Sequence, residues 1–351
     1  MMNHLFFVLF LACGCYAMLA WGVRNLPREN WQILASLPRR REPAGSWQGL
    51  NLTWYGLLTA NAYLAATAIL FLLLGTLEVP LPAMLTVAVL MLGLCVPASR
   101  LVAWLVEGKA HTFTVGGAVF VGTLAAPWLI GLCNLLPWER PAPVMPVLPA
   151  LAAIVVAYAF GEGLGRLACL SFGCCYGKPL DACSPPLRRF FARWSLIFTG
   201  ETKKIAYASG LEGTPVVPVQ VLTAFLYVTT GLAAIWLFLN AHFAAAFVLG
   251  TVITQGWRVG SELLRADYRG AGKISAYQWM GLAAIPYSLA MAWWFAGSSG
   301  GQPQLAAGFA TLWHPGVLFA LQGLWLLIFF YTGRSAVTGS TLSFHVHRER
   351  I

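Results

Sequence analysis

The sequence predicts an all-α fold, a polytopic membrane helix bundle of about nine transmembrane helices with one extramembrane head region. Three observations support this prediction. The chain of 351 residues is 59% hydrophobic and only 10% charged, which excludes an ordinary soluble enzyme. Windows of about 18–25 apolar residues recur along its length, and each is long enough to cross a bilayer core of about 30 Å. Because lipid offers the backbone no hydrogen-bond partners, such windows fold as helices.

The apolar windows extend over nearly the whole chain. The first, Leu5–Val23, has no basic segment before it and is long for a signal peptide, so we expect an uncleaved helix. The seventh contains Arg258 and Glu262 and is the least apolar. The predicted spans are 5–23, 52–74, 84–106, 114–136, 147–170, 217–239, 243–264, 280–297 and 307–332.

The polar segments between the windows divide the chain into three predicted regions. These are residues 1–51, an additional transmembrane helix and a basic linker; residues 52–297, a membrane body that includes the head region 171–216; and residues 298–351, a last transmembrane helix and a basic tail. Within the head, Leu187–Phe198 is basic, aromatic and amphipathic. It is either a helix that lies in the plane of the lipid headgroups or an ordinary helix that covers the head.

Basic residues are distributed unevenly among the loops. With nine spans, 18 of the 22 Lys and Arg residues fall in loops on one side, whereas Arg140 lies in a loop on the other. The positive-inside rule therefore places the head region and the C-terminus in the cytoplasm. The basic run Arg39–Arg41 suits anionic lipid headgroups, and we expect no nucleic-acid partner.

Residues 161–177, with the sequence GEGLGRLACLSFGCCYG, are the most informative part of the chain. Glu162 and Arg166 are four residues apart, so on a helix they share one face, and Arg258 and Glu262 repeat this spacing. Charged groups in a membrane span normally face the protein interior or a watery cavity. The two pairs are therefore either ion pairs that join helices or a clamp for an anion, because guanidinium groups suit bidentate binding of phosphate.

Four of the eight cysteines cluster in the same region, at Cys169, Cys174, Cys175 and Cys183. One interpretation is that they are small residues that let a turn pack closely. A second is a reactive thiolate near Arg166. A third is a metal site, although the spacing differs from that of usual zinc sites. We favour the packing role and expect neither a metal nor a cofactor.

The pattern Gly165-Arg166-x-x-Cys169-x-x-x-Gly173-x-x-x-Gly177 resembles the signature loop of the prolipoprotein diacylglyceryl transferase family, in a branch whose loop contains a cysteine pair. Four further elements resemble the family in the same order along residues 52–297. They are Trp54-Tyr55-Gly56-Leu57, Val115-Gly116-Gly117, Pro218-Val219-Gln220, and Arg258-x-x-x-Glu262-x-x-Arg265-x-Asp267 followed by Gln278. One such motif alone is weak, but five in order favour this superfamily.

The resemblance implies a multi-pass transferase of the bacterial cytoplasmic (inner) membrane whose donor is phosphatidylglycerol. It implies that Arg166 and Arg258 bind the donor phosphate, and that Glu162 and Glu262 orient them or handle protons. The positions implied to line the substrate site are Tyr55, Gly116, Gly117, Gly165, Cys169, Gly173, Cys174, Cys175, Tyr176, Gly177, Arg265 and Gln278.

The chain differs from the family pattern on the side that would bind the acceptor. Val115 stands where the family has a histidine, and His111, one helical turn earlier, is the alternative general base. Cys169 and Cys174 replace an asparagine and an acidic residue. We therefore expect an acceptor other than a lipoprotein cysteine, with release of a glycerol phosphate. A lipid or anion transporter that uses the same arginines and a true prolipoprotein diacylglyceryl transferase stay open as alternatives.

Overall fold

The computed structural model describes residues 2–43, 45–108, 114–138, 144–266, 274–298 and 300–351. Within this part of the chain there are twelve α-helices and one sheet of three strands. The helices are α1 Met2–Asn25, α2 Trp54–Gly75, α3 Leu81–Glu107, α4 Val115–Asn134, α5 Val147–Phe172, α6 Pro185–Phe191, α7 Lys204–Ser209, α8 Val219–Leu239, α9 Phe243–Ser261, α10 Ala276–Trp294, α11 Leu305–Leu312 and α12 Pro315–Thr332. The strands are β1 Ile33–Arg41, β2 Trp47–Thr53 and β3 Arg334–Leu342.

Seven of the described helices are long and apolar enough to cross a membrane, namely α1 to α5, α8 and α12. The predicted polytopic helical membrane protein is thereby confirmed. The two 19-residue helices α9 and α10 are also as long as a membrane span, but they are less apolar. In α9 this reflects the polar residues Gln255 and Arg258, which lie close to the end of the helix.

The prediction of one last span over 307–332 is wrong, because two helices occupy this window. The eight-residue helix α11 ends at Leu312, and α12 begins at Pro315. Proline suits the first turn of a helix but ends a preceding one. The His314 side chain accepts a hydrogen bond from the Gly316 N–H at 3.1 Å and so caps the new helix. Only α12 is long enough to cross a bilayer.

Helix α5 lies at the centre of the bundle and is buried along most of its length, against α2, α8 and α9. Its small residues allow this close packing. Gly161 and Gly165 face α2, where Cβ atoms built on them would lie 2.9 Å from the Ala66 Cβ and 3.7 Å from the Ala62 Cβ. Gly163 faces α8 on another side of the same helix. The charged end of α5 is thus held in the interior by its own glycines.

The three strands form an antiparallel sheet in the order β1-β2-β3. Asn51 ties all three together, because its side-chain oxygen accepts from Ser36 Oγ at 2.6 Å and its amide donates to Thr338 Oγ1 at 3.2 Å. The segment predicted to be a linker therefore contains two strands, and it is paired with the C-terminal tail. This small sheet adds a β element to the otherwise helical fold.

The head region is built from short elements rather than from one amphipathic helix. A helix over Leu187–Phe198 was predicted, and this is wrong, because α6 ends at Phe191. Leu196 instead pairs with Val216, with N–H to O=C distances of 3.0 and 2.9 Å. Buried Leu180, Phe191 and Val217 belong to a separate small core beneath this loop.

Lys203 fastens the head to the ends of two membrane helices. Its side chain is fully buried (0% exposed), and its Nζ donates to the carbonyl oxygens of Leu26 at 3.2 Å and Ser171 at 2.6 Å. These carbonyls lie at the C-terminal ends of α1 and α5, where a positive charge is favoured. Burial lowers the pKa of Lys203 to about 8, although the nearby Glu29 carboxylate opposes this shift.

Candidate functional site

The first predicted pair, Glu162 and Arg166, forms a buried ion pair in the last turns of α5. The side chains are only 9% and 11% exposed. A buried guanidinium is costly unless its donors are satisfied. Among the described residues, the buried Arg166 Nε has no hydrogen-bond partner. The pair is thus neutralised by one carboxylate while one donor stays available for a further acceptor.

The second predicted arginine, Arg258, lies one turn before the end of α9 and interacts with two tyrosine phenols. Its charge acts on Tyr158 of α5 and Tyr227 of α8, and Glu262 contributes the neighbouring carboxylate. The rings of Tyr158 and Tyr227 lie 5.9 Å apart. The Tyr227 hydroxyl donates to the carbonyl oxygen of Thr254 at 2.7 Å, which fixes it against α9.

Tyr227 brings the two predicted arginines into one region of the interior. Both guanidinium groups lie within electrostatic range of its phenol, Arg166 from the α5 side and Arg258 from the α9 side. The residue itself is buried. Neither tyrosine was predicted as part of the site. The sequence did contain a pattern that indicates Tyr158. Tyr158, Glu162 and Arg166 follow one another at intervals of four residues and so share one helix face.

Gly116, at the start of α4, leaves room for the Arg258 side chain. A Cβ atom built on Gly116 would lie 2.6 Å from Arg258 Nη2 and would also overlap the ring of Tyr277. Gly117 has a different surrounding, because a Cβ there would overlap Val102 of α3. The structure therefore brings Gly116 to the predicted site and assigns Gly117 to the packing of α4 on α3.

The glycine- and cysteine-rich turn after α5 is fastened to the end of α9. Gly173 ends α5 in the left-handed conformation with φ +71°, and Cys175 shares this conformation with φ +59°. Gly177 pairs with Arg265, and a side chain at Gly177 would overlap Val217. Gln220 Nε2 donates to the Cys174 carbonyl at 2.9 Å. The two segments that carry the predicted arginines thus form one connected unit.

Three cysteines of this turn gather their sulfur atoms in one place. The Sγ atoms of Cys169, Cys174 and Cys175 all lie within 4.8 Å of one another, and the Cys169–Cys175 distance is 4.0 Å. Arg166 Nη1 lies 3.8 Å from the Cys169 sulfur. Cys183 is not a member of this group, because its thiol donates to the Pro179 carbonyl at 3.4 Å.

The thiols outside the membrane span are strongly perturbed by one another. The pKa of Cys175 is well below its usual range, because the Cys169 and Cys174 thiols donate hydrogen bonds to its sulfur and the charges of Arg265 and Arg166 favour the thiolate. The pKa of Cys174 is well above its usual range, chiefly through its hydrogen bonds with Cys169 and Cys175 and through burial. The three thiols therefore form one hydrogen-bonded group, in which the Arg166 and Arg265 charges favour a thiolate.

Tyr55 lies beside the cysteine turn, in the first turn of α2. Thr53 caps this helix by accepting from the Gly56 N–H at 3.3 Å. The Tyr55 ring packs on Phe172, with centroids 5.4 Å apart. Its phenol is within electrostatic range of all three gathered cysteines. The structure therefore brings Tyr55 to the predicted site.

Other predicted site residues make contacts within the protein. The Tyr176 hydroxyl bonds to Ser209 of α7. The Gln278 side chain accepts from the Ser275 N–H at 2.9 Å and donates to the Val259 carbonyl at 3.0 Å, so it caps α10 and holds it to α9. His111, the alternative base, lies outside the described residues.

The comparison with protein families fits this arrangement. A model of the prolipoprotein diacylglyceryl transferase family matches residues 44–294, which is more than two thirds of the chain. The chain belongs to this family. A search among curated proteins gives no match. Family membership and the apolar helices together identify a multi-pass membrane lipid transferase. All five motifs of the sequence analysis lie within the matched range, so the family and the fold that it implied are confirmed.

Proposed function

We propose that this protein transfers the diacylglyceryl group of phosphatidylglycerol, or of a closely related anionic glycerophospholipid, to an acceptor other than a lipoprotein cysteine. The observation that carries the proposal is that the charges of two interior arginines, Arg166 and Arg258, both act on the buried phenol of Tyr227. Arg166 keeps a buried donor without a partner in the described part of the chain. An anionic phosphate between the two would satisfy such donors and offset the two positive charges.

The reaction is a displacement at the carbon of the diacylglyceryl group that is bonded to a phosphate oxygen. The acceptor loses its proton to a base and forms a bond to this carbon. The bond from carbon to phosphate oxygen breaks, and its electron pair stays on the leaving glycerol phosphate. Negative charge therefore grows on the phosphate in the transition state, where Arg166 and Arg258 stabilise it.

The neighbouring groups have supporting roles in this proposal. Glu162 and Glu262 orient the two guanidinium groups. Tyr55, beside the cysteine turn, would contact the glycerol headgroup. His111 remains the proposed base. A covalent intermediate on Cys174 or Cys175 is disfavoured by chemistry, because the product would be a thioether whose carbon–sulfur bond is too stable to pass the glyceryl group on.

The central test measures release of glycerol phosphate from phosphatidylglycerol labelled in its headgroup. Whole-cell lysate with overexpressed protein serves as the assay mixture, because it contains soluble and membrane acceptors. Arg166→Lys and Arg258→Lys keep the charge but lose bidentate geometry, and each should lower the rate about 10²–10³-fold. Arg188→Lys is the matched control, since Arg188 forms an exposed ion pair with Asp181 in the head. Wild-type rates in both site variants would refute the clamp.

The same assay identifies the acceptor class. Phosphatidylglycerol labelled in its acyl chains is incubated with the lysate, and the products are separated into lipid, soluble and protein fractions. We expect label in a product other than lipoprotein. Label on a lipoprotein signal peptide would favour the family's named activity instead, and transport of labelled lipid without release of glycerol phosphate would favour the transporter.

We propose that the head region, the sheet and the C-terminus lie on the cytoplasmic side of the inner membrane. The basic residues of the sheet, the head and the C-terminal tail favour this orientation, and they lie in the segments that precede α2, connect α5 to α8 and follow α12. A membrane-impermeant thiol reagent distinguishes the orientations in intact cells. Glu201→Cys, in the exposed head loop, should stay unlabelled, and Gln302→Cys, between α10 and α11 at the opposite end, should react. The reverse pattern would place the head outside.

A further inference from the structure

The gathered sulfur atoms of Cys169, Cys174 and Cys175 have the geometry of a metal-binding site. A zinc–sulfur bond is about 2.3 Å long, so two sulfurs on one ion lie about 3.8–4.0 Å apart in tetrahedral or trigonal geometry. The Cys169 and Cys175 sulfurs already lie 4.0 Å apart, and all three lie within 4.8 Å of one another. Small side-chain rotations are therefore enough to place one ion at bonding distance from all three.

The backbone is arranged to bring neighbouring cysteines to the same ion. Side chains of adjacent residues in an extended chain point to opposite sides. Cys175, however, has φ +59°, a left-handed conformation that non-glycine residues rarely adopt. The Gln220 amide holds the Cys174 carbonyl and helps to fix this turn. Such strain tends to persist at sites where it has a role.

The charges around the cluster suit a metal–thiolate complex. Zn²⁺ with three thiolates has a net charge of −1, which needs a positive neighbour in a buried place. Arg166 Nη1 lies 3.8 Å from the Cys169 sulfur, and the Arg265 charge acts on Cys175. Arginine donors thus replace the hydration that the thiolates lose.

We propose that Cys169, Cys174 and Cys175 form a three-thiolate site for a thiophilic metal ion, with Zn²⁺ as the ion that it takes and with the fourth coordination position open. Three protein ligands and one open position distinguish catalytic zinc sites from structural ones. Tyr55 and Arg166 border the cluster, so the proposed metal site adjoins the proposed donor site. On the basis of the proposed function, the ion would hold the acceptor as a metal-bound thiolate or alkoxide, after the acceptor proton has passed to a base.

The test measures metal binding by the full-length protein in detergent, after treatment with a chelator and a reductant that does not bind metals. Cd²⁺ is the probe, because its bonds to thiolate give a distinct ultraviolet charge-transfer band, and Zn²⁺ is then added as the competitor. We expect one Cd²⁺ per chain and its displacement by Zn²⁺. Cys169→Ala, Cys174→Ala and Cys175→Ala should each weaken binding at least about 100-fold. Cys183→Ala is the matched control and should bind as the wild type does.

Several results would overturn the proposal. They are the absence of a stoichiometric band in the wild type, unchanged binding in the three variants, and recovery of a Cys169–Cys175 disulfide in place of the metal. X-ray absorption of the zinc-loaded wild type gives a measurement that needs no variant. It should show three sulfur neighbours at about 2.3 Å, and fewer than three would contradict the site.

The metal-site proposal and the transferase proposal are tested independently, so either can be refuted while the other stands. Binding of Cd²⁺ is measured without phospholipid, so it stands even if no glycerol phosphate is released. Arg258→Lys should lower turnover and retain the metal, because Arg258 supplies no ligand to the proposed metal site. Loss of metal binding in Arg258→Lys would show that the variant disrupts the whole region, and would contradict two distinct sites.

Discussion

Replacing the buried Lys203 by methionine should remove a specific pH dependence of stability. Burial lowers the pKa of Lys203 from 10.5 to about 8. This difference of about 2.5 pH units corresponds to roughly 3 kcal/mol, at 1.36 kcal/mol for each unit. Because the unfolded state binds the proton more tightly, the wild-type free energy of unfolding should rise as pH increases from about 8 to 10.5. Below pH 8 both states carry the proton, and this contribution is constant.

At neutral pH the net effect of Lys203→Met on stability should be small. The variant no longer buries a charge, which is favourable by the roughly 3 kcal/mol derived above. It also leaves the Leu26 and Ser171 carbonyls without their donor, at a cost of about 1–3 kcal/mol each. The two effects are of similar size and opposite sign, so the stability at one pH does not reveal the buried charge. The change in the free energy of unfolding with pH does.

Equilibrium unfolding in mixed detergent micelles, followed at pH 7, 8, 9 and 10, measures this slope. Subtraction of the variant's curve from that of the wild type cancels the other titrating groups. Lys204→Met, at the neighbouring position, is the control and should keep the wild-type slope. If the Lys203→Met and wild-type curves run parallel over this range, the buried lysine is not the source of the pH dependence and the reasoning fails.

Two further predictions concern the interior arginines. Gly116→Ala should displace the Arg258 guanidinium and lower release of glycerol phosphate about 10²-fold, since displacements of about 1 Å have effects of that size. Gly131→Ala is the control, because Gly131 lies on the same helix with open space around it, and this variant should keep the wild-type rate. Tyr227→Phe should lower turnover, whereas Tyr287→Phe should not, although each loses one hydrogen bond to a backbone carbonyl and about 1 kcal/mol of stability. Equal rates within either pair would contradict a role for that contact.

The helices were predictable because their signal is local. Each predicted window overlaps a helix, since apolar length alone is decisive in a bilayer. The break in the last window depended on Pro315, whose effect on the hydropathy of the window is small. The strands were missed because their partners are distant in sequence. Gln48, for example, pairs with Thr341, and nothing near residues 47–53 indicates that partner.

Part of the candidate site was predictable, namely the part that depends on residues close together in the sequence. The four-residue spacings of Glu162 with Arg166 and of Arg258 with Glu262 gave both charged pairs, and the first is present as a buried ion pair. The contribution of Tyr227 could not be predicted, because it depends on how α8 packs against both α5 and α9. The gathering of three thiols likewise depends on the left-handed backbone at Cys175, a conformation that its residue type disfavours.

The pairing of β2 with β3 means that the first and last parts of the chain together form one sheet. During synthesis β1 and β2 leave the ribosome early and can pair, whereas β3, the second partner of β2, is translated almost three hundred residues later. Gly333, just before β3, also lies against Gly56 at the start of α2. This end of the bundle therefore cannot reach its final form until translation is nearly finished, and a chain that stops short of residue 334 would leave β2 with an open edge.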